Sequence, residues 1–268
     1  MGRPCSSCRL AGSTSHAPSS RRNPLRTRRL REIPEPSPSN GRVIRLRRPP
    51  VVNLVDAPFV PEDVALGEVD AAWDRLRSQN PRMYDGALLH VLGTSRNGHG
   101  GLSIHVAESS YRFHAVAALG LDTGVRPLGA KAIVVRGNAV LMGKRSQQSG
   151  SYPGCWEYVP GGTVLPLGNQ GAIDPSHTVE QELCEEVGLD VKIDNAPALA
   201  VFFDDDARTW EVVYGLRLAE DQFQGPMAPG GWEHEELCWV QPGCCESPVS
   251  SASRIMDSLA RSFISAGV

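Results

Sequence analysis

Three glutamates packed into five residues, Glu182, Glu185 and Glu186, constrain this chain more than any other feature. They close the stretch over residues 161–189, GGTVLPLGNQGAIDPSHTVEQELCEEVGL. Its second half predicts a helix. Asp174 or Ser176 can cap it, and Pro175 suits a first-turn position whose amide has no helical partner. Val179, Leu183 and Val187 recur every fourth residue and form one apolar stripe, with Gly188 as the stop. At about 100° per residue the three glutamates fall within roughly 100° of one another, beside that stripe. At ~5 Å and an effective dielectric near 20, each ionised pair repels by roughly 3 kcal/mol. Solvent relieves that repulsion on an open face, which is the reading as a charged surface helix without chemistry. In a cleft a hard divalent cation, with its preference for oxygen ligands, is the natural counter-charge.

The run QELCEEVGL resembles the second half of a Nudix box, G-x5-E-x7-R-E-U-x-E-E-x-G-U, where U is a bulky aliphatic residue. Glu182, Leu183, Glu185, Glu186, Gly188 and Leu189 match it. Gln181 stands in place of the Arg, Gly162 lies five residues earlier than the opening Gly, and Ile173 occupies the frame of the middle Glu. A stretched box with a QE-[LI]-C-[DE]-E core is similar to that of Nudix enzymes cleaving UDP-glucose and UDP-galactose. Further likenesses occur in the same order: Trp73 with Leu76-Arg77, Tyr84-Asp85, Ser110-Tyr111-Arg112, Pro127-Leu128-Gly129, Lys144-Arg145-Ser146, Val159-Pro160-Gly161-Gly162 and Glu233-His234-Glu235.

The resemblance implies an α/β (α+β) fold, a Nudix-type α/β/α sandwich around a mixed sheet. It implies Glu182, Glu185 and Glu186 as catalytic ligands of Mg2+ or Mn2+, with Glu182 helping to deprotonate the attacking water. It implies a metal-dependent diphosphatase that cleaves a small nucleoside diphosphate substrate, a nucleotide sugar first, to a nucleoside monophosphate and a sugar 1-phosphate. ADP-ribose or another linked nucleoside diphosphate is the alternative substrate. A non-catalytic nucleotide-binding module is the alternative class, since Gln181 and the displaced Gly162 depart from the pattern.

Charge divides the chain. Through Arg48, twelve Arg and no Lys stand against two acids, Glu32 and Glu35, giving +10; the remaining fifteen basic and twenty-eight acidic residues give −13. So acidic a body excludes nucleic-acid binding through the folded surface. Residues 1–48, rich in Arg, Ser and Pro, cannot bury enough apolar surface to offset chain entropy and read as a disordered tail. A basic arm, a targeting segment and an over-early start are its competing explanations. No run approaches the ~18 apolar residues of a membrane helix, so no membrane partner is expected. Seven cysteines, an odd number, fit a reduced, cytoplasmic setting. Cys5 and Cys8 have only His16 nearby, short of the four ligands zinc takes. Nothing in the sequence decides between monomer and homodimer.

Residues 49–126 predict a small α+β unit: a strand over 51–55, a helix over 61–78 ended by Asn80-Pro81, strands over 87–92 and 102–106, and a helix over 110–119. Tyr111 and Arg112 there are candidates for base or sugar contact and for phosphate contact; a plain helix start is the alternative. Residues 127–268 predict the box domain. A hairpin over 131–145 turns at Gly137-Asn138. Lys144 and Arg145 at its exit are candidate pyrophosphate cations, or two solvated charges. A strand over 156–160 leads to Gly161 and Gly162, where a backbone can approach a ligand closely and the Gly161 carbonyl could reach a metal. Strands follow over 191–193, 198–203, 210–218 and 237–240, then an amphipathic helix over 248–266. Asp204-Asp205-Asp206 reads as a solvated hairpin loop. Glu233 and Glu235 are candidates for one further metal carboxylate.

Overall fold

The computed structural model describes residues 43–267, apart from 99, 167–172, 194 and 220–228. The tail through residue 42, with Cys5, Cys8 and His16, lies outside the described residues. The tail boundary at 48 is too late: strand β1 (Ile44–Arg45) pairs with a strand near residue 200, and Leu46 is buried. The local composition is indeed Arg-rich, but alternating Ile44 and Leu46 meet the main apolar core.

A first layer comprises β2 (Val51–Val55), α1 (Leu66–Gln79), β3 (Ala87–Arg96), β4 (Leu102–Ser110) and α2 (Tyr111–Ala115), continued by a 3-10 turn (Val116–Leu119). Its sheet order is β2-β4-β3, with β2 parallel and β3 antiparallel to β4. Helix α1 starts five residues later than Pro61 suggests. Its cap, Ala65, has no side-chain oxygen, so nothing local marks the boundary. Val69, Ala72, Trp73 and Leu76 bury against Leu88, Phe113 and Val116. The alternate residues Leu89, Val91, Ile104 and Val106 enter the core of the box domain instead. The two predicted units therefore share one continuous apolar core.

The second layer is an eight-stranded sheet of described residues. It contains β5 (Leu128–Arg136), β6 (Ala139–Arg145), β7 (Trp156–Tyr158), β8 (Gly161–Thr163), β9 (Ala198–Asp204), β10 (Thr209–Arg217) and β11 (His234–Val240) with β1. Its order is β1-β9-β10-β5-β6-β11, and only β10 with β5 is parallel. Strand alternation divides β5 between two cores. Ala130, Ala132 and Val134 face α3 (Pro175–Glu182) through Val179, while Ile133 and Val135 face α4 (Ser251–Ser265) through Met256 and Leu259. Helices thus lie on both faces of a mixed sheet, as expected.

Two expectations fail here. Residues 191–193 form no strand, because the Ile193 amide donates to Glu180 Oε1 at 2.8 Å rather than to a ladder partner. Asp204 is not solvated. It is 1% exposed and accepts hydrogen bonds from the hydroxyls of Tyr152 and Ser251, tying the end of β9 to the start of α4. Asp205 and Asp206 are the exposed part of that turn.

Candidate active site

Strands β5 and β6 pair only through Val135–Val140 and Arg136–Ala139. Beyond these two rungs they part: β5 takes β8 as its partner and β6 takes β7. Charged side chains converge between the parted ends. Lys131 Nζ lies 3.3 Å from Glu157 Oε2, Arg145 Nη1 pairs with Glu157 Oε1, and His234 Nε2 stands 3.2 Å from the same oxygen. The Glu157 side chain is 5% exposed. Burial alone would push its carboxyl up. Lys131, the His234 hydrogen bond and Arg145 outweigh burial and hold it well below the usual carboxylate range. Glu157 thus stays ionised as the hub of a buried network.

The box helix supplies the opposing wall. Asp174 caps α3 by accepting from the Ser176 amide at 2.9 Å, and Pro175 opens the first turn. Val179, Leu183 and Val187 are all buried. After Glu182 the helix widens into a π turn (Leu183–Val187) and ends on Gly188 at φ 74°. A π turn closes i→i+5 hydrogen bonds and rotates fewer degrees per residue than an α turn, so the three carboxylates do not keep regular α register. Glu186 points inward at 6% exposure, Glu182 is half-buried, and Glu185 is exposed and accepts from Gln181 Nε2 at 2.8 Å. Gln181, in the place of the box Arg, therefore steadies Glu185. Ile173, in the frame of the box Glu, is buried in the core, where a carboxylate would lack a partner.

Glu186 carries the strongest polar anomaly. Its Oε2 accepts from the Gly161 amide at 3.1 Å, while its Oε1 is buried with no hydrogen-bond partner among the described residues. His234 Nδ1 lies 3.7 Å from that oxygen, beyond hydrogen-bond reach. Burial first, then the charges of Glu182 and Glu157, push the Glu186 carboxyl well up. Glu182 is pushed up to about 7 by burial, then by Glu185 and Glu233. Two raised carboxyls and an orphaned oxygen form a hard-oxygen donor set short of positive charge, which fits a divalent cation. The side chains are not closed into a cage: among the described residues no three His, Cys, Asp or Glu groups are placed to hold a metal together.

The loop before β11 adds Glu233. Gly230 donates its amide to the Glu186 carbonyl at 2.8 Å, and a Cβ there would overlap the Glu185 carbonyl, so only glycine allows this approach. The Glu233 carbonyl accepts from the Ser146 amide and the Ser149 hydroxyl, and its carboxylate lies 3.7 Å from Arg145. A β-bulge between His234 and Glu236 leaves Glu235 outside the ladder and exposed, accepting from the Gln147 amide at 3.4 Å. Of the two loop candidates, Glu233 is the one whose charge reaches Glu182.

The other candidates separate. Arg145 enters the network, whereas Lys144 alternates to the face shared by Met142 and Trp156, away from Glu157. Arg112 pairs with Asp70 at 3.2 Å and Asp85 at 3.6 Å and ties α1 to the following loop. Tyr111 packs edge-on against Trp73 and brings its hydroxyl near Gly150; burial pushes its phenol up, and Arg145 and Glu233 both act on it. Gly161 donates its amide to Glu186 Oε2. Gly162 leaves room for Glu182, since a Cβ at Gly162 would overlap Glu182 Oε1.

That overlap yields a test. The obstructing atom is the end of a flexible side chain, so Gly162→Ala is expected to fold with a melting temperature close to the parent's. Glu182 must move, and hydrolysis is expected to fall by roughly 10- to 100-fold, as misplacement of a reacting group by ~1 Å can cost. Steady-state kinetics beside a thermal melt checks both halves.

Lys131, Glu157 and Glu211 are buried charged positions that pattern reading misses. Their common signal is a titratable residue within an apolar strand run, as in GAKAIVV, WEYVP and TWEVVYG. Glu211 is 6% exposed and pushed up to about 7 by burial, against the pull of Lys131 and Thr209. A carboxyl raised above its ordinary 4.5 takes up a proton on folding, so its stabilising contribution is fully present below 4.5 and lost as pH rises. Glu182 and Glu211 therefore each lower the stability of metal-free protein as pH rises from about 4.5 to 7, while His90 and His114, lowered to about 4 by burial, raise it over much of the same range. Adding Mn2+ is expected to raise the melting temperature by a few degrees at pH 7.5 and by less at pH 5, where Glu182 is protonated. Thermal melts with and without chelator across that range decide it.

Residues 125–246 match the family model described as NUDIX domain. The match supports a hydrolase acting on diphosphate bonds. Similar solved structures include a MutT NUDIX hydrolase from Burkholderia pseudomallei, 27% identical, covering 49% of this chain and 95% of that one at TM-score 0.40. A MutT protein from Methanosarcina mazei is 18% identical over 52% of this chain and 94% of its own, at TM-score 0.40. The NUDIX domain of Shewanella oneidensis NrtR, complexed with ADP ribose, is 18% identical over 55% of this chain and 96% of its own, at TM-score 0.41. No curated protein matches the chain. Among the described residues no helix is long and apolar enough to cross a membrane.

Proposed function

We propose, from the match of residues 125–246 to the NUDIX domain model, that the protein hydrolyses the diphosphate of a nucleoside diphosphate joined to a second group, with nucleotide sugars of the UDP-glucose and UDP-galactose type as the first candidates. The observation that carries the reading is the buried Oε1 of Glu186, without a hydrogen-bond partner among the described residues, beside the raised carboxyl of Glu182. Glu186 and Glu182 would hold Mg2+ or Mn2+, with Glu185 and Glu233 at the open side. Such an ion would supply counter-charge to the diphosphate and acidify the attacking water.

The chain's own groups divide the remaining work. Glu182, half-buried with a proton affinity near neutral pH, is the group suited to accept the proton of that water. Glu157 sets the positions of Lys131 and Arg145, so their positive charge faces the site without free motion. Water adds to one phosphorus, the bridging P–O bond breaks, and the products are a nucleoside monophosphate and a sugar 1-phosphate. The nucleotide-sugar preference rests on the QELCEEVGL box with Gln181 and Ile173 in place of its usual charged pair.

The deciding experiment is hydrolysis of UDP-glucose, UDP-galactose and ADP-ribose with Mg2+, with Mn2+ and with chelator. Chelator-sensitive cleavage of the UDP-sugars is expected. Rapid cleavage of ADP-ribose beside intact UDP-glucose would move the substrate assignment. No cleavage of any of them would leave a nucleotide-binding module.

A further inference from the structure

We propose that Trp232, backed by Arg82, is the stacking surface for the planar base of the nucleotide at the mouth of the site. The inference rests on the nucleoside-diphosphate reading above and deepens it. Trp232 is 46% exposed, although its neighbours on both sides are fastened. On one side the Gly230 amide is bonded to the Glu186 carbonyl. On the other the Glu233 carbonyl is held by Ser146 and Ser149. The ring is thus carried on a pinned segment directly beside the carboxylate that faces Arg145.

The layer built by residues 43–126 reaches the same place. The Arg82 guanidinium lies 4.9 Å from the Trp232 ring centroid, and its Nη1 donates to Gln148 Oε1 at 2.9 Å. Tyr84, two residues on, is 76% exposed, and Tyr111 sets its hydroxyl near Gly150 in the same 146–150 loop. A guanidinium against an indole is a favourable pair, yet nearly half of Trp232 stays in water. A flat aromatic ligand would cover that remainder at little ordering cost, because the ring is already held. Every base has a π face, so such a surface sets affinity for nucleotides more than choice among bases. The alternative role, a structural tie between Arg82 and the loop, predicts no dependence on ligand.

The test uses the full chain. Uridine and adenosine monophosphate are titrated against tryptophan emission in the parent and in Trp232→Phe, and steady-state kinetics are run on UDP-glucose and ADP-ribose with Trp232→Ala and Trp232→Phe. Part of the parent's emission is expected to be quenched, and that quench is absent in Trp232→Phe. Trp232→Ala is expected to raise KM roughly 10- to 100-fold with kcat within about twofold, the size of one lost base stack. Trp232→Phe, which keeps an aromatic face, is expected to restore KM to within about threefold of the parent. An enzyme that cleaves its substrate with KM unchanged in Trp232→Ala overturns the proposal, as does a quench that persists in Trp232→Phe. If the parent cleaves neither substrate but the Trp232-dependent quench is present, the stacking surface stands and the hydrolase reading fails.

Discussion

Glu186→Gln is expected to lower hydrolysis by about 10³-fold, roughly 4 kcal/mol of transition-state stabilisation, without lowering the melting temperature. The two halves of that result come from one cause. Glu186 is nearly sealed from solvent, one of its oxygens has no hydrogen-bond partner among the described residues, and its charge is opposed by Glu182 and Glu157. Glutamine keeps the shape and can keep the Gly161 hydrogen bond through its carbonyl oxygen. It removes the negative charge that burial disfavours, so the folded protein at neutral pH is equally or more stable. A charge retained at a cost to folding is what a cation ligand requires. A thermal melt and kcat measured on the same preparation separate this from general damage. Unchanged turnover in the variant would remove Glu186 from the chemistry.

Glu157→Gln is expected to act in the opposite way, destabilising the fold by about 3–5 kcal/mol, the range seen when one member of a buried ion network is removed. Lys131 and Arg145 have side chains only 12% and 13% exposed, and both rely on Glu157 for counter-charge. In a domain of this size the loss corresponds to a fall in melting temperature on the order of 10 °C. The pH dependence follows from its depressed carboxyl. Glu157's contribution is present above the ordinary glutamate value of 4.5 and disappears as pH falls toward its lowered one. Glu157 and Glu186, which face each other across His234, should therefore give stability changes of opposite sign at neutral pH. Equal melting temperatures for the two variants would show that Glu157 does not organise the network.

Local features were legible where the chain's own neighbours set them. The Asp174 cap, Pro175, the stripe of Val179, Leu183 and Val187, and the turn at Gly137-Asn138 each depend on residues at most a few positions apart. The start of α1 was not, since Ala65 carries no capping group. Nor was Asp204, whose partners Tyr152 and Ser251 lie about fifty residues away on either side. Lys144 and Arg145 look equivalent as a pair of adjacent cations. The pleat sends them to opposite faces, and only the pairing of β6 with β7 and β11 says which face holds Glu157. Arg112 looked free because Asp70 is distant in sequence, although α1 brings it to 3.2 Å.

By itself, the order of residues determined that three glutamates end one amphipathic helix and that divalent-cation chemistry is the reading to test. Short-range periodicity and capping set those outcomes, because hydrogen bonds and apolar spacing act within a turn or a strand. Tertiary structure alone decided which glutamate is buried, which cation faces it, and that Lys131, Glu157, His234 and Glu186 meet in one gap. Those relations depend on where β5 and β6 part and on strand register between segments up to a hundred residues apart. Packing that excludes water strengthens the effect of one charge on another.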